Sequence, residues 1–297
     1  MRLARVLLVA HLSALVFGLA GLLIALPHPE LWAGDKQAAH VFDFGMKYAG
    51  SLHIVLGAAA MAAFGVTAIG WRRTAIFFGC AVPISLSSEL IGTGTGWPFG
   101  NYAYTNFLGY KVAGHVPFSI PLSWFYLGFS AMLLGSAIAA GRDLRPRGVW
   151  SIGLGVWFLT VWDLVLDPAM AHKSLAVRFW NWSETGPYFG MPVQNFIGWS
   201  ATGLLFMTLA RWLWKGDAKP VQNRGATWFP FVVYAANTFF AMALSASVDL
   251  WVPIALAALL GLVPASLALR PGARRSGGGL PLVESARPRP WRALPSR

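Results

Sequence analysis

Charge is scarce in this chain. Asp, Glu, Lys and Arg make up 11% of its 297 residues, less than half the share of about 25% in ordinary soluble domains. So bare a composition excludes a soluble globular enzyme, and the long apolar runs exclude a disordered chain. Cysteine is scarcer still. Cys80 stands alone inside an apolar run, so neither an intrachain disulfide nor a cysteine zinc site is available. The histidines are His11, His28, His40, His53, His115 and His172, and no two share a motif with metal-ligand spacing. A nucleophile elbow, a phosphate loop and a dinucleotide fingerprint are all missing.

The charge that remains is positive, at +12 overall, but its placement removes the nucleic-acid reading. Residues 270–297 hold seven Arg against one Glu, which is half of the whole excess. An arginine-rich terminus is not a basic groove.

What the chain has in abundance is apolar and aromatic surface: 56% hydrophobic residues, 14% aromatic, fifteen of them Trp. A helix needs about 20 mainly apolar residues to cross the hydrocarbon layer. Eight such runs occur, at 4–26, 50–70, 74–92, 119–140, 149–167, 193–214, 228–247 and 250–269. The expectation is an all-α, polytopic transmembrane bundle of about eight helices. The first run follows Arg2 and Arg5, yet it is longer than the apolar core of a signal peptide and lacks a clear Ala-x-Ala site. It reads as a retained helix.

Basic residues orient the bundle. The amino terminus, the alternate connections and the tail carry eighteen Lys and Arg, against five (Lys36, Lys47, Lys111, Lys173 and Arg178) on the opposite side. Both termini are therefore expected in the cytoplasm, with the chain in the plasma membrane. The carboxylates run the other way. Glu30, Asp35, Asp43, Glu89, Asp163, Asp167, Glu184 and Asp249 fall outside or in the outer parts of helices, and only Asp143, Asp217 and Glu284 fall inside. Two long connections, 93–118 and 168–192, also face outward. They are rich in aromatics, Gly and Pro, so function explains them better than disorder. The chemistry is expected at the outer boundary. Residues 1–270 read as one transmembrane catalytic domain and 271–297 as a disordered basic tail held near anionic headgroups. Segments 74–140 and 149–214 share a helix–aromatic loop–helix layout, too little to claim a duplication.

Ionisable groups at membrane depth are costly and so are candidates for function. Glu89 lies near the end of the third run. Asp163 and Asp167 are four apart on the fifth and share a helix face, and Pro168 is expected to end that helix. Two neighbouring carboxylates in a poor dielectric disfavour double ionisation, which would leave one as an acid beside a base. The plainer reading is pairing with Lys or Arg, or loop capping, although no basic residue is close in sequence. Asp249 reads as an interfacial turn residue and His11 as a packed or hydrogen-bonded one; His53 is open. The loops add Trp97, Tyr102, Tyr104, Trp180, Trp182 and Tyr188. An interfacial belt accounts for some of these, but not for their clustering beside the carboxylates. Carboxylic acids with π-faces suit acid-initiated alkene chemistry on a lipid, because aromatic faces stabilise a carbocation.

The ordered set Glu89, Gly96-x-Pro98-Phe99-Gly100-x-Tyr102-x-Tyr104, Ile120-Pro121-Leu122-x-Trp124, Asp163-x-x-x-Asp167-Pro168-x-Met170, Trp180-x-Trp182, Tyr188-Phe189-Gly190-x-Pro192 and Asn195-Phe196-x-Gly198-Trp199 resembles the membrane carotenoid hydratases. These include the CruF-type carotenoid 1',2'-hydratases and the bisanhydrobacterioruberin hydratases. The resemblance is dense from Glu89 to Trp199. It implies addition of water across the terminal 1',2' double bond of an acyclic carotenoid end, of lycopene or γ-carotene type, to give a tertiary alcohol. On that basis Asp163 and Asp167 form the acid/base pair, and Glu89 assists or substitutes for one of them. Tyr102, Tyr104, Trp124, Trp180 and Trp182 line the end-group pocket, and Asn195 orients the water. No metal or organic cofactor is called for. The partners are carotenoid, water and membrane lipid, with room for other carotenoid-pathway enzymes and none for nucleic acid. Two readings compete. One is a membrane prenyltransferase or carotenoid cyclase, since Asp163-x-x-x-Asp167 resembles one half of a magnesium-diphosphate motif. The other is a proton-coupled transporter or carotenoid-binding protein, since buried carboxylates also relay protons.

Overall fold

The computed structural model of the protein describes residues 1–214 and 226–270. The basic tail from Pro271 onward, and Lys215, Asp217, Lys219, Arg224 and Glu284 with it, lie outside the described residues. Eight helices follow one another: α1 (Arg2–Ala20, prolonged by a π turn Gly21–Ala25), α2 (Lys36–Ile69), α3 (Trp71–Thr95), α4 (Ser119–Gly141), α5 (Arg147–Met170), α6 (Val193–Leu213), α7 (Trp228–Ala246) and α8. The last starts as Trp251–Leu256, loosens into a π segment at Ala257–Leu262 and tightens again to Leu269. Seven of these are long and apolar enough to cross a membrane, and the chain is a multi-pass membrane protein. α6 is the exception; its first turn carries Gln194 and Asn195.

Helix α4 is the axis of the bundle and packs against α2, α3, α5 and α7. Its closest neighbour is α5, and glycine is the reason. A Cβ at Gly135 would lie 2.7 Å from the Ser151 carbonyl oxygen, and one at Gly155 would lie 3.0 Å from the Met132 Cα. Small residues let backbones approach where no hydrophobic effect drives helices together. The outward faces of α1 and α2 instead display Leu3, Val6, Val9, Val16, Val41 and Phe44, a surface suited to lipid and not to water.

Two helices differ from the sequence expectation. α2 starts at Lys36, well before the apolar run at 50. Asp35 caps it by accepting the Ala38 N–H at 2.7 Å; the cap sets the start of a helix, whereas hydropathy registers only its membrane-depth part. At 34 residues α2 extends about 50 Å, well beyond the roughly 30 Å of hydrocarbon. In α5, Pro168 does not end the helix, which continues to Met170. Proline leaves the carbonyl four residues back without its N–H, and the Leu164 oxygen takes the Tyr188 hydroxyl instead, at 3.1 Å. The same exchange occurs at Pro264: the Leu260 oxygen accepts the Trp157 indole N–H at 2.9 Å.

The long loops contain the remaining order. β1 (Tyr102–Tyr104) pairs antiparallel with β4 (Trp180–Trp182), and β2 (Lys111–Val112) with β3 (Val116–Pro117). Strand alternation turns Tyr102, Tyr104, Trp180 and Trp182 inward, while Ala103 and Asn181 point out. Phe99 anchors the first loop between α3 and α6. Added Cβ atoms at Gly92 and Gly198 would stand 2.7 and 2.4 Å from its ring. Phe189, its counterpart by sequence, is exposed, so the two Phe-Gly pairs are not equivalent. Asp249 sits in the tight turn between α7 and α8.

Candidate active site

The two loops lie over the α3–α4–α5–α6 end of the bundle and close a cavity of about 60 Å³. Of nine residues singled out in the sequence, eight line it: Glu89, Tyr102, Tyr104, Trp124, Asp167, Trp180, Trp182 and Asn195. The ninth, Asp163, lies one turn behind Asp167 and is wholly buried.

Three donors converge on Glu89, which is 3% exposed. The Tyr102 and Tyr104 hydroxyls donate to Oε2, the second at 2.9 Å, and the Trp124 indole N–H donates to Oε1 at 2.9 Å. The donors reach it because β1 leaves α3 by a short turn and α4 returns alongside. Burial first, and the Glu89 carboxylate second, hold both tyrosine hydroxyls protonated well above the usual phenol range. Both therefore remain donors at any physiological pH.

Asp163 and Asp167 are bridged by one amide. The Asn195 Nδ2 group donates to Asp163 Oδ2 at 2.9 Å and to Asp167 Oδ2 at 2.7 Å. That uses both of its N–H bonds, and its seat in the first turn of α6 fixes it opposite the end of α5. Among the described residues no Lys or Arg pairs with Glu89, Asp163 or Asp167; the basic pairs fall on exposed Asp143. The simple ion-pair reading of these acids finds no basic partner among the described residues. Asp163 Oδ1 and the indole nitrogens of Trp162 and Trp182 are buried with no hydrogen-bond partner among the described residues. Unsatisfied polar atoms are rare in folded proteins and mark places where water or ligand belongs. No three His, Cys, Asp or Glu side chains gather as a metal-binding group among the described residues.

Aromatic rings complete the wall. Trp124 stacks on Trp199 with centroids 4.0 Å apart, and Trp162 meets Trp199 edge-on at 5.8 Å. Opposite them is a polar relay. His11 Nδ1 lies 2.7 Å from the His53 carbonyl oxygen, which can only accept, so that nitrogen carries the hydrogen. Its Nε2 then accepts from Asn237 Nδ2 at 3.1 Å, and Asn237 Oδ1 accepts from the Tyr126 hydroxyl at 2.7 Å. His11 is thus a hydrogen-bonded core residue. His53, by the same logic, donates from Nδ1 to the Ala49 carbonyl oxygen at 3.0 Å.

A model of the carotenoid biosynthesis protein family matches residues 49–264, which include every residue lining the cavity. The chain belongs to this family. It is 31% identical over 194 residues to the bisanhydrobacterioruberin hydratase of Haloarcula japonica, a match covering 64% of this chain and 62% of that relative. No solved structure matches the chain.

For this carotenoid biosynthesis protein, sequence reasoning missed Trp162, Tyr126 and Asn237, quoted Trp199 in the resemblance without giving it a role, and left His53 open, although all five line the cavity. Asn237 was legible in principle as a lone amide inside the apolar run of α7. Trp162 carried no separate signal in a chain with fifteen tryptophans.

Proposed function

We propose that this chain hydrates the terminal 1',2' double bond of an acyclic carotenoid end group. One observation carries the reading: three buried carboxylates, none paired with Lys or Arg among the described residues, gather with aromatic faces about a cavity of a few water volumes. Glu89 and Asp167 stand in its wall and Asp163 one turn behind. The hydratase relative supports it.

The geometry supports the following division of labour. Asp167, which lines the cavity, donates its proton to C2' of the alkene. The charge left at C1' is tertiary and faces the indole and phenol rings, with Glu89 held by its three donors as a fixed electrostatic partner. Water attacks C1', and the proton it loses returns to the Asp163–Asp167 pair, which ends the cycle as it began. Asn195 positions both carboxyls with its two N–H bonds, and its Oδ1 is the atom left to orient the water. Tyr102, Tyr104, Trp124, Trp180 and Trp182 shape the space around the end group. The reaction involves no net oxidation or reduction, and its partners are carotenoid, water and the surrounding lipid. A diphosphate-consuming transferase would want Lys or Arg beside Asp163 and Asp167, and among the described residues none pairs with them.

The basic residues support a plasma-membrane protein with both termini cytoplasmic and the site toward the outer face, in one catalytic body spanning 1–270. The test is expression in a lycopene-accumulating host, with pigment analysed by mass spectrometry. A carotenoid heavier by one water is expected; unchanged pigment from well-expressed protein overturns the proposal. A product of unchanged mass but altered spectrum would instead indicate a cyclase.

A further inference from the structure

A space of about 60 Å³ holds a few waters or the tip of a ligand, not the long polyene that a carotenoid carries behind its end group. A second space adjoins it. A groove of about 590 Å³ runs between the later turns of α1 and the overshooting first half of α2, floored by Phe107 and Phe179 of the loops. Its inner end is formed by His53, Leu108, Met170 and Phe240, and these same four side chains are also walls of the acidic cavity. We infer that this groove seats the polyene chain of the substrate, which enters sideways from the bilayer between α1 and α2 and passes its end group across the His53–Phe240 seam to Asp167. The inference rests on the carotenoid reading above and assigns the part of the site which that reading left open.

Three features fit a polyene. The walls are apolar along the length of the groove, with Asp35 and Gln37 among the few polar side chains. Phe17, Ile24, Leu31 and Val41 line it and are 47–62% exposed, so it opens on the apolar outer surface of the bundle. The α1 wall is also cut back by glycine. A Cβ at Gly18 or Gly21 would meet no atom within 4 Å, which leaves open space along that wall. A lipid acyl chain is the competing occupant. It shares the apolar chemistry, but it has no end group to present to the acids at the inner end, so the continuity of the two spaces favours the polyene.

Because Gly18 and Gly21 face open space, large side chains there fill the groove without displacing the protein. The variants are Gly18→Trp and Gly21→Trp, with Val41→Trp from the opposite wall. Gly79→Trp is the control: it is exposed on α3, outside the groove, and equally open to a Cβ. Full-length protein is purified in detergent from a lycopene-accumulating host. Two quantities are read: pigment per protein by absorbance, and hydrated product by mass spectrometry. A ten-carbon alkene ending in the same trisubstituted double bond is supplied separately. The groove variants are expected to retain at least fivefold less pigment and form at least fivefold less hydrated carotenoid, while Gly79→Trp matches the unaltered protein. Turnover of the short alkene should stay within twofold in all of them, which also reports an intact fold. Wild-type levels of pigment in all three groove variants overturn the inference and leave the groove to lipid, and so does unaltered protein that retains no pigment. Pigment held by the unaltered protein and lost in the variants, with no hydrated product from either, sustains the groove and sinks the hydratase reading instead.

Discussion

Tyr102 lies directly across from Trp182 in the antiparallel register of β1 and β4, as Tyr104 does from Trp180. Two loops separated by the whole of α4 and α5 are thereby joined into one lid. Its inner face supplies two hydroxyl donors to Glu89, while its outer positions, Ala103 and Asn181, have no part in the cavity.

Replacing Tyr102 or Tyr104 by Phe keeps the ring and the strand pairing but removes one donor to a buried carboxylate. Hydrogen bonds to charged groups contribute about 1.5–3 kcal/mol, so each variant should lose roughly 10- to 100-fold in hydration rate if Glu89 stabilises the cation. The double variant should lose more. Product formation in isolated membranes at matched protein levels measures this. Unchanged rates would mean that Glu89 is structural.

The Asp163, Asp167 and Asn195 cluster makes a sharper demand. Asp167→Asn should abolish product, because the proton source is gone. Asp163→Asn should fall by about 10²- to 10⁴-fold, the usual contribution of a general acid or base. Asn195→Ala leaves two buried carboxyls short of a donor and should cost about 1–3 kcal/mol of stability as well as activity. Rate and thermal midpoint in detergent separate the two effects. Full activity in both aspartate variants would remove them from the mechanism.

The carboxylates stood out in the sequence because each interrupts an apolar run, and the structure brings all three together. The helices were legible for the converse reason, since twenty apolar residues have few other uses. The pairing of β1 with β4 was not legible. Strands of three residues, Tyr-Ala-Tyr and Trp-Asn-Trp, are too short for their alternation to stand apart from an interfacial belt, and each one's partner lies far along the chain. The start of α2 at Lys36 was hidden because Lys36, Gln37, His40, Asp43 and Lys47 break the hydropathy there. The groove left no mark at all, as it is a space bounded by ordinary apolar side chains and by glycines that lack one.

Phe99 is locked between α3 and α6 by the missing side chains of Gly92 and Gly198. Gly198→Ala would put a methyl group 2.4 Å from the Phe99 ring, forcing the ring and the first loop to shift. Overpacking of this kind costs about 1–3 kcal/mol. A lower thermal midpoint is expected, together with reduced activity, because Tyr102 follows three residues after Phe99. Gly153→Ala, where a Cβ meets nothing within 4 Å, should leave both unchanged.

The relay from Tyr126 through Asn237 to His11 ties α4, α7 and α1 together at the wall of the cavity. Asn237→Leu keeps the volume but strands the Tyr126 hydroxyl and the His11 Nε2 atom. An unsatisfied buried group costs about 1–3 kcal/mol, so this variant should melt earlier than the unaltered protein. Adding Tyr126→Phe should return part of the loss, since one of the two stranded groups is then gone. A double variant no more stable than Asn237→Leu alone would show that the hydroxyl finds another partner once Asn237 is gone.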